Sequence, residues 1–188
     1  MPSVDLPYHG KSQLSYSDLW SLARSLALKA ESGSVLIGWS MGASLALMMA
    51  YLFPEKFRGL LLIGASPCFG CAWSEKNLRA FLLRLERERE GFLREFRSLA
   101  YPKGFEDTVD IEGAKRILRE YMYTDLRHIL PYIRQRVLIL HGEKDTIVPL
   151  SSALTLYNML KRSKLITFPG GHFPEYENLI FEVLKGLQ

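Results

Sequence analysis

Four short apolar runs punctuate the chain, at 35–37, 60–63, 137–140 and 165–168. Each is essentially continuous rather than alternating, the pattern of parallel strands covered on both faces. Between them lie stretches with helical character. Residues 41–53 are apolar almost all the way round, as in a helix packed under a sheet, and the run stops before Pro54. Residues 154–160 and 179–187 read as later crossover helices. Strands alternating with helices predict an α/β fold, a three-layer sandwich around a mainly parallel sheet.

The rhythm changes between the second and third strands, across a gap of about seventy residues that is too long for a plain crossover. Leu78, Phe81, Leu82 and Leu85, then Phe92, Leu93 and Phe96, follow helical spacing, with Gly91 as the expected break between two helices. Residues 113–130 are helical in pattern again. The expected organisation is a core formed by 1–72 and 132–188, with a helical cap, 73–131, inserted into it.

Length and composition fit one globular unit: 188 residues, 48% hydrophobic, 23% charged and 12% aromatic. No apolar run reaches the roughly 18–20 residues of a membrane span. The start, MPSVDLPYHGKS, lacks the basic and apolar regions of a secretory leader, so a cytoplasmic location and no membrane partner are expected. The formal charge of +4 is concentrated in the cap, where residues 76–103 carry eight Lys or Arg against four Glu. An acidic partner would be attracted there. No nucleic-acid-binding motif accompanies the charge, so nucleic acid is not expected as a partner. The two cysteines, Cys68 and Cys71, are spaced CxxC. Without the helix-opening context of a redox motif or four ligands for zinc, they are expected to be ordinary thiols, and no metal or cofactor is implied.

The chemistry concentrates after the first strand. Residues 38–42 read GWSMG, a Gly-x-Ser-x-Gly sequence leading from a strand straight into a helix, which is the nucleophile-elbow pattern. Small residues flank the serine because Cβ atoms would collide in so sharp a turn. The turn puts the Ser40 hydroxyl at the carboxyl edge of the sheet, beside a helix N-terminus where peptide N–H groups favour developing negative charge. A serine needs a base, and the base needs an orienting carboxylate. In chain order Ser, Asp, His, these are expected after the third and fourth strands: Asp145 in HGEKDTIVP and His172 in PGGHFP. Glu143 is the alternative orienter. His141 reads as a core or loop-bracing residue, His128 as part of a solvated helical face, and His9 as a turn residue.

With these residues in place, the chain resembles the α/β-hydrolase superfamily over almost its whole length. DLPYHGKS is similar to that family's Asp-x-x-Gly-x-Gly-x-Ser turn, with Tyr8 and His9 as departures, and FPEKFRGLLLIGASPCF, HGEKDTIVP and PGGHFP are similar to its later strands and loops. Within the superfamily, GWSMG, GASPCF and TDLRHILPYI resemble the pimeloyl-acyl-carrier-protein methyl ester esterases of biotin synthesis. That resemblance implies a serine carboxylesterase with a truncated α/β-hydrolase fold, acting on a small or carrier-linked ester. Ser40, Asp145 and His172 would be catalytic and the Met41 N–H an oxyanion donor. Substrate contacts are implied at Trp39, Phe92, Leu93, Arg94, Glu95 and Phe96. Arg84, Arg87, Arg89, Arg94 and Arg97 are the candidates to steer an acidic acyl carrier protein. The packing alternative for Phe92, Leu93 and Phe96, and the solvated-face alternative for each arginine, stand beside these. In the family, strands upstream of the DLPYHGKS turn include a His-Gly loop that gives a second oxyanion donor. Without them, the 35–37 strand is expected to have one unpaired side, which invites pairing with another chain as a homodimer. The alternative function is a catalytically weak module that binds an acyl group or a carrier protein.

Overall fold

The computed structural model describes residues 3–101, 103 and 108–187. The outer limits of the expected core, residues 1 and 188, and part of the cap therefore lie outside the described residues. Four parallel strands form the sheet in the order β1 (Ser34–Trp39), β2 (Phe57–Ile63), β3 (Arg136–Gly142) and β4 (Ser163–Phe168). All four expected strands are present.

Strand side chains alternate between two apolar layers, as a pleated backbone requires. Leu60, Leu62, Val137 and Ile139 enter the larger cluster, which includes Leu22 of α1 (Leu19–Lys29), Leu47 of α2 (Met41–Leu52) and Leu156 of α6 (Leu150–Met159). Leu61, Ile63, Leu138 and Leu140 point the other way, against Val183 of α7 (Glu177–Leu184) and Leu187. Helices on both faces complete the three-layer arrangement.

Helix α1 has no counterpart among the sequence-based expectations. Its signals are an Asp18 N-cap, whose carboxylate accepts the Ser21 N–H at 2.8 Å, and the spacing of buried Leu19, Leu22, Ala23 and Ala27. Helix α6 begins four residues before the expected 154, directly after Pro149.

The segment between β2 and β3 holds α3 (Glu75–Glu88), α4 (Glu90–Ala100) and α5 (Ile111–Tyr123), followed by a 3₁₀ turn at Arg127–Tyr132. The α3–α4 break falls at Arg89, where φ is +43°, and Gly91 lies within α4, which corrects the expected position. Leu85, Phe92 and Ile111 form a small core belonging to these helices. Ile117 and Tyr121 of α5 instead join the main core, so α5 ties this segment to the body. No described helix is long and apolar enough to cross a membrane.

Candidate active site

The turn after β1 explains its own sequence in part. A Cβ on Gly38 would lie 2.5 Å from Ala43 Cα and 2.5 Å from the Gly42 carbonyl oxygen, so only glycine fits there. A Cβ on Gly42 would meet nothing within 4 Å, so the steric reason offered for both flanking glycines holds for the first alone. Between them, Ser40 takes φ +53° and ψ −122°, a strained conformation of the kind concentrated at functional sites. The Ser40 N–H donates to the Ile63 carbonyl at 2.9 Å, pinning the turn to β2. Although Ser40 occupies the N-cap position of α2, its hydroxyl caps no backbone N–H. It lies at the positive end of the helix dipole, next to the Met41 N–H.

The loops after β3 and β4 are laced together. The Glu143 N–H donates to the Phe168 carbonyl and the Lys144 N–H to the Gly170 carbonyl, both at 2.9 Å. They approach so closely that a Cβ on Gly142 would lie 1.9 Å from the Gly171 carbonyl oxygen. Gly64, at φ +54°, similarly leaves room for His172: a Cβ there would lie 2.9 Å from both Cε1 and Nδ1 of the imidazole.

This lacing brings Asp145 and His172 together. His172 Nδ1 is 2.7 Å from Asp145 Oδ2, and both residues are buried. The other carboxylate oxygen, Oδ1, accepts the Ile147 and Val148 N–H groups at 2.9 Å each. Burial pushes the Asp145 carboxyl upward, but the His172 bond and charge and the two backbone donors outweigh it and leave the group below its ordinary value. Asp145 is thus held ionised and fixed in direction. The His172 Nε2 atom is buried and makes no hydrogen bond among the described residues. The Asp145–His172 contact is formed, while the structure records no Ser40–His172 hydrogen bond.

The alternatives have other tasks. Glu143 accepts from the Thr167 hydroxyl at 2.9 Å. His141 Nε2 contacts the Val148 carbonyl at 2.9 Å and Asp145 Oδ2 at 3.6 Å, bracing the loop from inside the core, where burial lowers its pKa. His9 Nδ1 contacts the Pro7 carbonyl at 2.9 Å in a turn that contains Tyr8 at φ +69°.

The candidate substrate contacts do not face one place. Trp39 packs beside the pair, its indole N–H donating to the His172 carbonyl at 3.2 Å and its ring 5.7 Å from the imidazole. Phe96 joins Trp39, Phe69, Ile147 and Val148 in a cluster next to the Asp145 loop. Phe92 is 5% exposed and sits in the cap's own core, with Phe81 edge-on at 4.7 Å and the Arg84 guanidinium over its ring. Leu93 packs against the same core. Arg94 and Glu95 are exposed, and Glu95 accepts from Arg84 at 2.6 Å. Residues 92–96 thus meet different surroundings, as helical rotation requires of neighbouring side chains, while Phe96 also reaches Phe81 at 5.4 Å.

Cys68 and Cys71 form a disulfide, which corrects the expectation of ordinary thiols. Their sulfurs and an Asp125 oxygen lie within 4.8 Å of one another. The sulfurs are bonded to each other and both Asp125 oxygens accept from Arg127, so these groups are already engaged.

A parallel sheet with a strained Gly-x-Ser-x-Gly turn after one strand and a paired Asp and His after later ones matches a known design. The chain belongs to the alpha/beta hydrolase family, whose model matches residues 3–179. It is 30% identical over 195 residues to the pimeloyl-[acyl-carrier protein] methyl ester esterase of Nitrosomonas europaea, covering 91% of this chain and 77% of that protein. It is also 30% identical over 168 residues to the protein of that name in Wigglesworthia glossinidia brevipalpis, covering 78% of this chain. The match spans 64% of that relative's length, less than two thirds. Among solved structures, an esterase from Exiguobacterium antarcticum superposes with a TM-score of 0.80 at 22% identity, covering 96% of this chain and 77% of that one.

Proposed function

We propose that the chain is a serine carboxylesterase in which Ser40, His172 and Asp145 form the catalytic triad. The observation that carries the proposal is the buried Asp145–His172 contact of 2.7 Å, with the unpartnered His172 Nε2 available on the far side of the ring. Ser40 Oγ attacks the ester carbonyl carbon while His172 Nε2 takes its proton, and the carbonyl π pair moves onto oxygen. The Met41 N–H bonds to that oxyanion, and the N-terminus of α2 stabilises its charge. Collapse expels the alcohol, protonated by His172. Water, deprotonated by His172, then releases the acid and restores Ser40. Asp145 holds Nδ1–H and so fixes the tautomer that leaves Nε2 basic.

The relatives' names point to a methyl ester on a carrier-linked pimeloyl chain as the substrate. The cap supports a docking role for two arginines. Arg84 is committed to Glu88 and Glu95, and Arg89 to Glu112, whereas Arg87 and Arg94 are exposed with no ion pair recorded among the described residues. Those two are the proposed contacts for an acidic carrier protein. Residues 73–131 serve as the cap, and the protein works in the cytoplasm.

Hydrolysis of p-nitrophenyl esters tests the reading. Wild-type protein is expected to turn over, and Ser40→Ala to lower kcat on the order of a millionfold without loss of fold. A folded wild type with no Ser40-dependent turnover would favour a carrier-binding module instead.

A further inference from the structure

The last turn of α5 carries a group that the triad does not use. The Tyr121 side chain is 4% exposed, stacked on Phe69 with ring centroids 5.1 Å apart and planes 29° apart. Its hydroxyl is buried and forms no hydrogen bond of good geometry with any described residue. The surroundings are nevertheless polar. The Ser44 and Ser40 hydroxyls lie near enough to act on the phenol as hydrogen-bonding neighbours, and the Asp145 charge reaches it as well. Ser44 directs its own hydrogen to the Ser66 carbonyl at 3.3 Å, leaving only lone pairs for Tyr121.

A buried hydroxyl without a well-formed hydrogen bond is unfavourable, and phenylalanine would keep the Phe69 stack without that cost. The oxygen is therefore what needs explaining, and it lies beside the serine that attacks. Burial drives the phenol pKa further above its ordinary value, with the two serine hydroxyls drawing it back only in part. The group stays a neutral O–H donor wherever the enzyme works. A neutral donor whose ground-state neighbours are poorly aligned, and which meets a charged acceptor when Ser40 attacks, stabilises the transition state selectively.

We propose that the Tyr121 hydroxyl is a catalytic hydrogen-bond donor that joins the Met41 N–H in binding the oxyanion formed when Ser40 attacks an acyl carbonyl. The proposal rests on the esterase reading above. No proton leaves Tyr121: the Ser40 proton passes to His172, the carbonyl π electrons become the oxyanion lone pair, and the phenol donates a hydrogen bond to it. On collapse the bond is released and the hydroxyl returns to its orphaned position. The cap helix would then contribute directly to the chemistry.

The test is Tyr121→Phe, assayed with p-nitrophenyl butyrate beside wild type and Ser44→Ala. Tyr121→Phe is expected to lower kcat about 100-fold, the usual cost of one oxyanion donor, with KM within about twofold and thermal stability equal or higher. Ser44→Ala should keep kcat within about threefold. A trifluoromethyl ketone, whose Ser40 adduct carries the same oxyanion, should bind Tyr121→Phe more weakly by a factor matching the loss in kcat/KM. An unchanged kcat in folded Tyr121→Phe, or a lower kcat with unchanged ketone affinity, overturns the proposal while leaving the esterase intact. If Tyr121→Phe does not fold, 3-fluorotyrosine at 121 gives the second measurement: an altered ketone affinity supports the donor and an unaltered one overturns it. Wild-type protein that shows no Ser40-dependent hydrolysis removes the esterase reading, and this proposal with it.

Discussion

Strands β1 and β3, one at the edge of the sheet and one inside it, are built from similar residues and live in different surroundings. β3 is paired on both sides, and Val137, Leu138, Ile139 and Leu140 are each at most 4% exposed. β1 pairs with β2 alone among the described residues, and its Ile37 is 39% exposed. The helix α7 that covers Leu138 and Leu140 does not bury Ile37 on the same face. Aliphatic composition therefore does not decide burial; the neighbouring strand and the covering helix do. The difference also divides the site. Asp145 follows the covered β3 and His172 follows β4, which pairs with β3 alone among the described residues, and the two loops are laced by backbone bonds so that their contact is formed. Ser40 follows the edge strand β1 and reaches its place through the Gly38–Ala43 approach and one bond to β2.

If the laced loops after β3 and β4 set the acid–base pair, Asp145→Asn should be strongly damaging, though less so than loss of Ser40 or His172. It leaves an acceptor for the Ile147 and Val148 N–H groups but lets His172 adopt the wrong tautomer, and kcat should fall about 10⁴-fold, measured with a short ester. Next in size is the packing contrast. Leu140→Ala should destabilise by about 2–5 kcal/mol in urea unfolding, whereas Ile37→Ala, half open to solvent, should cost under about 1 kcal/mol. Equal losses would erase the distinction between the two strands.

A pH series sharpens it further. The Asp145 carboxyl has a lower pKa folded than unfolded, so the folded state binds fewer protons and the pair's stabilisation is fully present above the unfolded value. It is lost as the pH falls through the folded value, below about 4. Wild-type stability should drop in that window more steeply than that of Asp145→Asn, measured by unfolding at each pH. The smallest effect belongs to the cap. Charge reversal at Arg87 and Arg94 should weaken turnover of a carrier-linked ester about tenfold and leave a free short ester unchanged. Equal effects on both substrates would remove the docking role.

What could be read from sequence follows from how local each signal is. The four strands are legible because strands covered on both faces leave continuous apolar runs, and Ser40 because a strand, a tight turn and a helix follow one another in the chain. Asp145 and His172 are legible by chain order, at the ends of identifiable strands. The orientation of Phe92 against Phe96 was not, because both share one apolar helix face and only the tertiary arrangement separates the cap core from the Asp145 loop. Tyr121 carries no motif: it looks like one more apolar position of α5, and its interest comes from the unpartnered hydroxyl beside residues about eighty positions earlier. The Arg89 break is not legible, since helix propensity points to Gly91 and the positive φ at Arg89 has no local sequence signal.

The central claim is that Ser40 is activated by the imidazole that Asp145 holds. Labelling with a fluorophosphonate followed by peptide mapping tests it most directly, in wild type and in His172→Ala. The account predicts stoichiometric modification at Ser40 in wild type and loss of that modification, by about 10⁴-fold in rate or more, in folded His172→Ala. Folded wild-type protein that stays unmodified, or modification of Ser40 at the same rate in both proteins, would contradict it.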